Sequence, residues 1–133
     1  MSMKPYTLKT KTIPIGAIAI DSDASLWALW TVKNKIKIAA ARLGVSADNT
    51  KADTNYNTVQ IKNGANVIAA IANGPNSSAG TTILKGAFGA MALTAAYAEV
   101  AADAVLTLKV TKTGNGLAYA GAVIEIDYYD YNE

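Results

Sequence analysis

The residue types that most often carry out catalysis or hold metal ions are missing from this chain. Its 133 residues include no Cys and no His. This excludes disulfides, zinc sites built from Cys and His, and catalytic triads in which His is the base. General acid or base chemistry would have to come from Asp, Glu, Lys or Tyr, and no spacing of carboxylates marks a pair for glycoside hydrolysis. We therefore expect a protein that is not an enzyme and has no cofactor.

Two polar loops carry oxygen atoms that a divalent cation can use as ligands. One contains Asp21 and Asp23, and the other contains Asp48, Asn49 and Asp53. Such clusters are also typical of turns in which Asp and Asn side chains bond to the backbone. Neither loop has the spacing of an EF-hand calcium loop. The turn interpretation is favoured, so we expect no metal site.

Aromatic and basic side chains near the two ends of the chain are candidates for contact with a partner. Tyrosines concentrate at interfaces because each offers a large apolar area with a polar tip. Two interpretations of the C-terminal tyrosines stand: a platform for a sugar or a protein, or a Tyr128 that closes the core beside two tyrosines on a solvated edge. The candidate partner-contact residues are Lys4, Tyr6, Lys9, Lys11, Tyr129 and Tyr131.

Charge and hydropathy narrow the classes of partner. The chain has 12 Lys and Arg against 10 Asp and Glu, and Arg42 is the only arginine. Because sequence-specific readers of nucleic acid rely on arginine forks, no nucleic-acid partner is expected. The N-terminal sequence lacks the apolar region of a signal peptide, and no stretch is apolar enough for a membrane-spanning helix, so no membrane partner is expected either.

The elements that must position these residues are short strands, since most of the chain alternates between apolar and polar side chains. The residues after Ile38 change phase, which predicts a β-bulge at 39–41. Asn63-Gly64 predicts a hairpin, and Thr113-Gly114-Asn115-Gly116 predicts another between the last two strands. Residues 87–102 are expected to be extended with a short helical turn. The predicted strands cover residues 13–20, 26–32, 35–47, 58–62, 65–72, 81–84, 104–111 and 122–129.

Seven or eight short strands without a long amphipathic helix predict an all-β fold: an antiparallel β-sandwich, jelly-roll-like, with an extended N-terminal arm. Pro5 and the low bulk of the first residues place the arm at residues 1–12. The single sandwich domain is then expected to cover residues 13–133. With 51% hydrophobic residues and 17% charged residues, the chain is apolar for a lone domain, which indicates that other copies or a partner cover part of its surface.

Three segments carry a resemblance to a known family. They are NYNTVQIKNG at 55–64, AADAVLTLKVTKTG at 101–114 and GAVIEI at 121–126. Their strand and turn pattern, over roughly residues 35–128, resembles that of bacteriophage virion β-sandwich proteins. It is most similar to the small head decoration, or cement, proteins. The resemblance implies a location on the capsid surface after synthesis in the host cytoplasm, and it supplies no catalytic residues.

Together these observations predict a non-enzymatic virion structural protein. It would decorate and stabilise a phage capsid by binding neighbouring subunits of the major capsid protein as a homo-oligomer, with a trimer favoured. The alternative is a carbohydrate-binding or receptor-binding module of a phage fibre or spike, in which the tyrosines or an exposed Trp stack on the ligand.

Overall fold

The structure is a computed structural model that describes residues 6–18, 25–49, 54–72, 82–116 and 118–131. Ten strands and one short 3-10 helix make up the described part. The strands are β1 Leu8–Ile18, β2 Ser25–Thr31, β3 Ile36–Gly44, β4 Tyr56–Asn63, β5 Asn66–Ala72, β6 Phe88–Ala90, β7 Ala92–Leu93, β8 Glu99–Val100, β9 Val105–Thr113 and β10 Tyr119–Asp130, and the 3-10 helix is Ala95–Tyr97.

The strands form two antiparallel sheets packed face to face. Sheet I has the order β1-β10-β3-β6, with β8 also paired to β3, and sheet II has the order β2-β9-β4-β5-β7. The chain thus pairs like one long hairpin, β1 with β10, β2 with β9, β3 with β6 and β8, and β4 with β5. Successive pairs lie in opposite sheets, which is the arrangement of a jelly roll. The predicted fold class is confirmed.

The core lies between the two sheets and is built from alternate residues of the central strands. Ile124 and Ile126 of β10 and Leu106 and Leu108 of β9 are all 0% exposed. Each buried aliphatic side chain of this size stabilises the fold by about 1.5–3 kcal/mol relative to its exposed state. Tyr119 is also buried at the start of β10, and burial raises the pKa of its hydroxyl group. One continuous apolar layer therefore holds the two sheets together.

Two local predictions, one from alternation and one from turn chemistry, are confirmed. In the β3–β10 ladder, Asp127 is opposite Ala40 and Tyr128 is opposite Ile38, so Ala39 is the extra residue of a bulge. The hairpin between β4 and β5 is also present. Its two central residues are Gly64 and Ala65, and Gly64 has a φ of +60°. A positive φ at the first central residue alone is typical of a type II′ turn, which suits glycine.

Residues 87–102 were expected to be extended with a short helical turn, and the structure confirms this. The segment contains β6, β7, the 3-10 helix and β8. β6 and β8 pair with β3, while β7 pairs with β5. The segment therefore passes from one sheet to the other and back, which explains why its sequence fits neither a single strand nor a single helix.

The predicted hairpin between the last two strands is wrong. β9 lies in sheet II between β2 and β4, and β10 lies in sheet I between β1 and β3. The connection leads from one sheet to the other, with positive φ at Gly114 and Gly116. Alternation on both sides of a glycine-rich turn is the same in a hairpin and in such a crossover, so the local pattern does not distinguish them.

Two further boundaries differ from the expectation, and β2 contains a register shift. Residues 8–12 belong to β1 and pair with β10, so the expected limit of the arm at residue 12 falls inside a strand. In the described part of 81–84, Ile83 forms only an isolated bridge to Asn49 rather than a strand. In β2 the register shifts between Ala28 and Trp30. This shift turns Leu29 toward the core instead of Ala28.

Candidate functional site

The pairing of β1 with β10 brings the two ends of the chain together at one corner of sheet I. Leu8 is opposite Tyr129 in this ladder, and the neighbouring Lys9 is opposite Tyr128. Tyr128 packs against the core, so Leu8 and Tyr129 point away from it, on the outer face of the sheet. β1 is an edge strand of sheet I. The N-terminal and C-terminal candidate residues therefore share one corner of the molecule.

Four side chains on this corner form what we call the contact surface: Tyr6, Leu8, Tyr129 and Tyr131. The rings of Tyr6 and Tyr131 meet edge to face with their centroids 5.1 Å apart. Tyr6 is 37% exposed and Leu8 is 49% exposed. A cluster of apolar side chains that remains half exposed is typical of a surface that another molecule covers.

Charged side chains border the contact surface. The Tyr131 hydroxyl donates a hydrogen bond of 3.3 Å to Glu99 Oε1, and Lys35 Nζ lies 5.4 Å from the centre of the Tyr131 ring. Lys35 and Glu99 are also 3.9 Å apart as an ion pair. Partial burial and the negative charge of Glu99 raise the pKa of the Tyr131 hydroxyl above its usual value. These contacts fix the orientation of Tyr131 at the corner.

The basic candidates of β1 lie on the other face of the strand. Lys9 Nζ is 3.8 Å from Asp130 Oδ2, and Lys11 Nζ lies 5.9 Å from the centre of the Trp30 ring. Lys4 lies outside the described residues. The structure thus brings Tyr6, Tyr129 and Tyr131 together on the outer face, while Lys9 and Lys11 face the opening between the two sheets.

A cavity of about 190 Å³ lies beside these lysines, at the end of the sandwich where β2 leads into β3. Trp30 and Tyr128 contribute aromatic rings to it, with centroids 5.0 Å apart and an angle of 61° between the ring planes. The lining is completed by Lys11, Val32, Lys33, Asn34, Ile36 and Asp130. Sequence reasoning did not find this cavity, because its walls come from β1, β2, the 32–35 loop, β3 and β10.

The outer face of sheet I also carries an ion-pair network that sequence reasoning missed. Arg42 donates from Nη1 and Nη2 to the two carboxylate oxygens of Asp127, at 2.8 and 2.9 Å. Its Nε donates to Glu125 at 2.8 Å, and the Thr10 hydroxyl donates to Asp127 at 2.7 Å. Hydrogen bonds from Arg42 and then from Thr10 lower the pKa of Asp127. The network joins β1, β10 and β3. Its charged groups bond to one another.

The polar loops that were considered for cations have other contacts where the structure describes them. Asp48 Oδ1 accepts a hydrogen bond of 2.7 Å from the backbone N–H of Lys85, 37 positions along the chain, so this carboxylate connects two distant segments rather than closing a local turn. Asp21, Asp23 and Asp53 lie outside the described residues. Within the described ranges no group of three or more acidic side chains is placed to hold a metal ion.

Comparison of the chain with protein-family models, with curated proteins and with solved structures finds no match. In the part of the chain that the structure describes, no helix is long and apolar enough to cross a membrane.

Proposed function

We propose that this chain is a non-enzymatic virion structural protein that decorates a phage capsid and binds neighbouring subunits of the major capsid protein. The observation that carries the proposal is the contact surface. Leu8 and Tyr6 remain 49% and 37% exposed although Leu8 is paired to β10 and Tyr6 packs on Tyr131. A partner that covers this corner removes apolar area from water, which gains about 25 cal/mol per Å².

The fold supports the same assignment by analogy. Jelly rolls recur in viral capsid proteins and in lectins, and a fold of this kind offers broad rigid faces for protein contact. Because a fold hosts many functions, the support from the fold is weaker than the support from the surface. The strand and turn resemblance to head decoration proteins points to the first of these two classes.

The charged groups of sheet I support a structural role rather than a catalytic one. Arg42 forms ion pairs with Asp127 and Glu125 on the outer face of the sheet, and Asp127 is a poor general base because the guanidinium lowers its pKa. The network instead links the edge strand β1, through Thr10, to the two strands beside it. It stiffens the sheet that presents the contact surface.

The border of the contact surface indicates the chemistry of the partner. Lys37 is opposite Tyr129 in the β3–β10 ladder, and Lys35 lies over Tyr131. A partner that presents apolar side chains with carboxylates around them complements this pattern. We infer that the chain binds as a homo-oligomer, a trimer, because several contacts of ~800 Å² per partner then act together.

Co-sedimentation tests the proposal with a matched pair of variants. The probe is the purified head of the phage whose genome encodes the chain, incubated with increasing concentrations of the protein. We expect saturable binding that Leu8→Ser weakens at least tenfold, which is about 1.4 kcal/mol. Leu84→Ser is the control, since Leu84 is 53% exposed but lies outside the contact surface, and it should bind like the wild type. Failure of the wild-type protein to bind heads, or equal loss in both variants, would contradict the proposal.

A further inference from the structure

The cavity at the end of the sandwich combines three kinds of surface. Val32 and Ile36 are 0% and 1% exposed and give it an aliphatic base. Trp30 and Tyr128 give it aromatic rings that stay partly exposed. Asn34, Asp130 and two lysines supply polar groups. Apolar walls beside converging polar groups are features of small-molecule sites in proteins.

Asp130 is held in place before any ligand arrives. Asn34 Nδ2 donates to its two carboxylate oxygens at 3.3 and 3.2 Å, and Lys9 Nζ is 3.8 Å away. The Asp130 side chain is 15% exposed. The Asp130–Asn34 pair therefore presents a fixed acceptor and a fixed amide to the cavity, and Lys9 balances the negative charge.

The two lysines that line the cavity make it positive. Lys11 Nζ is held over the Trp30 ring at 5.9 Å, and Lys33 is exposed in the loop after β2. Neither lysine has an ion-pair partner among the described residues. Since the charge of Asp130 is balanced by Lys9, the lining attracts an anion.

The volume of the cavity and the chemistry of its lining then indicate which kind of anion it binds. A volume of about 190 Å³ is many times the space that a single water needs, so a six-membered ring fits. A simple anion such as acetate leaves the aromatic and aliphatic walls without a partner. A neutral sugar leaves Lys11 and Lys33 without one.

The geometry points to a binding site for a hexuronic acid, that is, a pyranose ring with a carboxylate. The carbon-bound hydrogens of the ring pack against Trp30 and Tyr128, which present large apolar area. The carboxylate pairs with Lys11 and Lys33, and the ring hydroxyls bond to Asn34 and Asp130. This site lies on the inner side of β1, so it goes beyond the proposed capsid contact and does not depend on it.

Titrations followed by NMR of the wild-type chain test the site with three probes. D-glucuronate should shift the Trp30 indole N–H signal, assigned with Trp30→Phe, with a Kd on the order of millimolar. D-glucose, which lacks the charge, and acetate, which lacks the ring, should each bind at least tenfold more weakly. If acetate shifts the signal as strongly as glucuronate, or if glucuronate causes no shift, the site as assigned is wrong.

Two variants that leave the core untouched locate the binding. Lys33→Gln should weaken glucuronate binding by about fivefold or more, because a charge-assisted hydrogen bond is lost. Lys85→Gln removes an exposed lysine that does not line the cavity and should leave binding unchanged. Equal weakening by the two variants would mean general attraction of anions and would overturn the assignment.

A fourth probe distinguishes a free hexuronic acid from a hexuronic acid within a polysaccharide. A hyaluronan tetrasaccharide carries glucuronate within and at the end of a chain. Binding at least as tight as that of the free acid indicates a site for polysaccharide, and binding only of the free acid indicates a site for the monosaccharide. Failure of both would contradict the proposal, while the co-sedimentation with heads is unaffected by either result.

Discussion

Arg42 holds Asp127 with both terminal nitrogens of its guanidinium group, at 2.8 and 2.9 Å. The two residues are 85 positions apart in the chain, and they meet because β3 and β10 are neighbours in sheet I. The side chains are 27% and 17% exposed. A bidentate pair that is mostly shielded from water is worth more than an ordinary surface ion pair.

Replacement of Arg42 should therefore destabilise the fold. We expect Arg42→Met to lower the free energy of unfolding by about 2 kcal/mol, because two carboxylates lose charge-assisted hydrogen bonds. Arg42→Lys should recover only part of this loss, since an ammonium group cannot bind both oxygens in a fork. Urea denaturation measures the change. Lys37→Met, an exposed position on the same strand, is the control and should stay within about 0.5 kcal/mol of the wild type. Equal losses at the two positions would contradict the importance of the pair.

The same pair predicts how stability depends on acid. The pKa of Asp127 lies below its ordinary value of 3.8 in the folded chain, so in the unfolded chain this carboxyl binds a proton at a higher pH. The stability that the pair contributes is fully present above that ordinary value and is lost as the pH falls through the folded pKa. We expect Asp127→Asn to lose stability at neutral pH and to show a smaller further loss between pH 5 and pH 2.

The measurement is urea denaturation across that range for the wild type and two variants. Asp103→Asn is the control, since Asp103 is exposed in the turn before β9 and its φ of 69° suits Asn as well as Asp. It should follow the wild-type pH dependence. An unchanged slope in Asp127→Asn would show that other carboxyl groups dominate the acid transition.

Alternation and turn chemistry predicted most of the strands, the bulge and the β4–β5 hairpin, since these depend on residues close in sequence. Alternation over 122–129 places Ile124 and Ile126 on one face of a strand, and that face is the core. Which strands pair with each other depends on residues far apart in the sequence. The prediction that β9 and β10 pair as a hairpin was therefore wrong. The single glycine-rich turn between these strands fits either arrangement, and only the sheet order distinguishes them.

The crossover from β9 to β10 makes a prediction of its own. Gly114 has a φ of +65°, and a Cβ added there would lie 2.2 Å from the Thr54 carbonyl oxygen. We expect Gly114→Ala to destabilise the fold by about 2–4 kcal/mol, from backbone strain plus this clash. Gly64→Ala is a matched control, because Gly64 has a φ of +60° but nothing within 4 Å of the added Cβ. It should cost about 1–2 kcal/mol. Thermal unfolding compares the two, and an equal loss would contradict the close packing at Gly114.

The proposed homo-oligomer predicts association in solution. We expect size-exclusion chromatography with light scattering to give three times the 13.8 kDa chain mass at micromolar concentrations. Exposed apolar side chains outside the contact surface, such as Phe88 and Val105 at 42% and 44%, provide area for contacts between copies. A monomer at every concentration would contradict the trimer, though each chain alone would still carry the contact surface.

The candidate site was predictable only in part. Tyrosine type and position in the sequence nominated Tyr6, Tyr129 and Tyr131, and the structure places them on one corner. These tyrosines lie close together because of the β1–β10 register, and no local sequence pattern predicts that register. The cavity was missed because Lys33 and Asn34 lie in an ordinary polar loop, and their relation to Tyr128 and Asp130 exists only after the sheets have closed.

A cryo-electron-microscopy reconstruction of phage heads incubated with the purified chain tests the central claim most directly. We predict extra density on the capsid surface that fits the jelly roll, with the corner of sheet I that carries Tyr6, Leu8 and Tyr131 against the capsid subunits. Heads without extra density, or a jelly roll attached through the outer face of sheet II, would contradict the account.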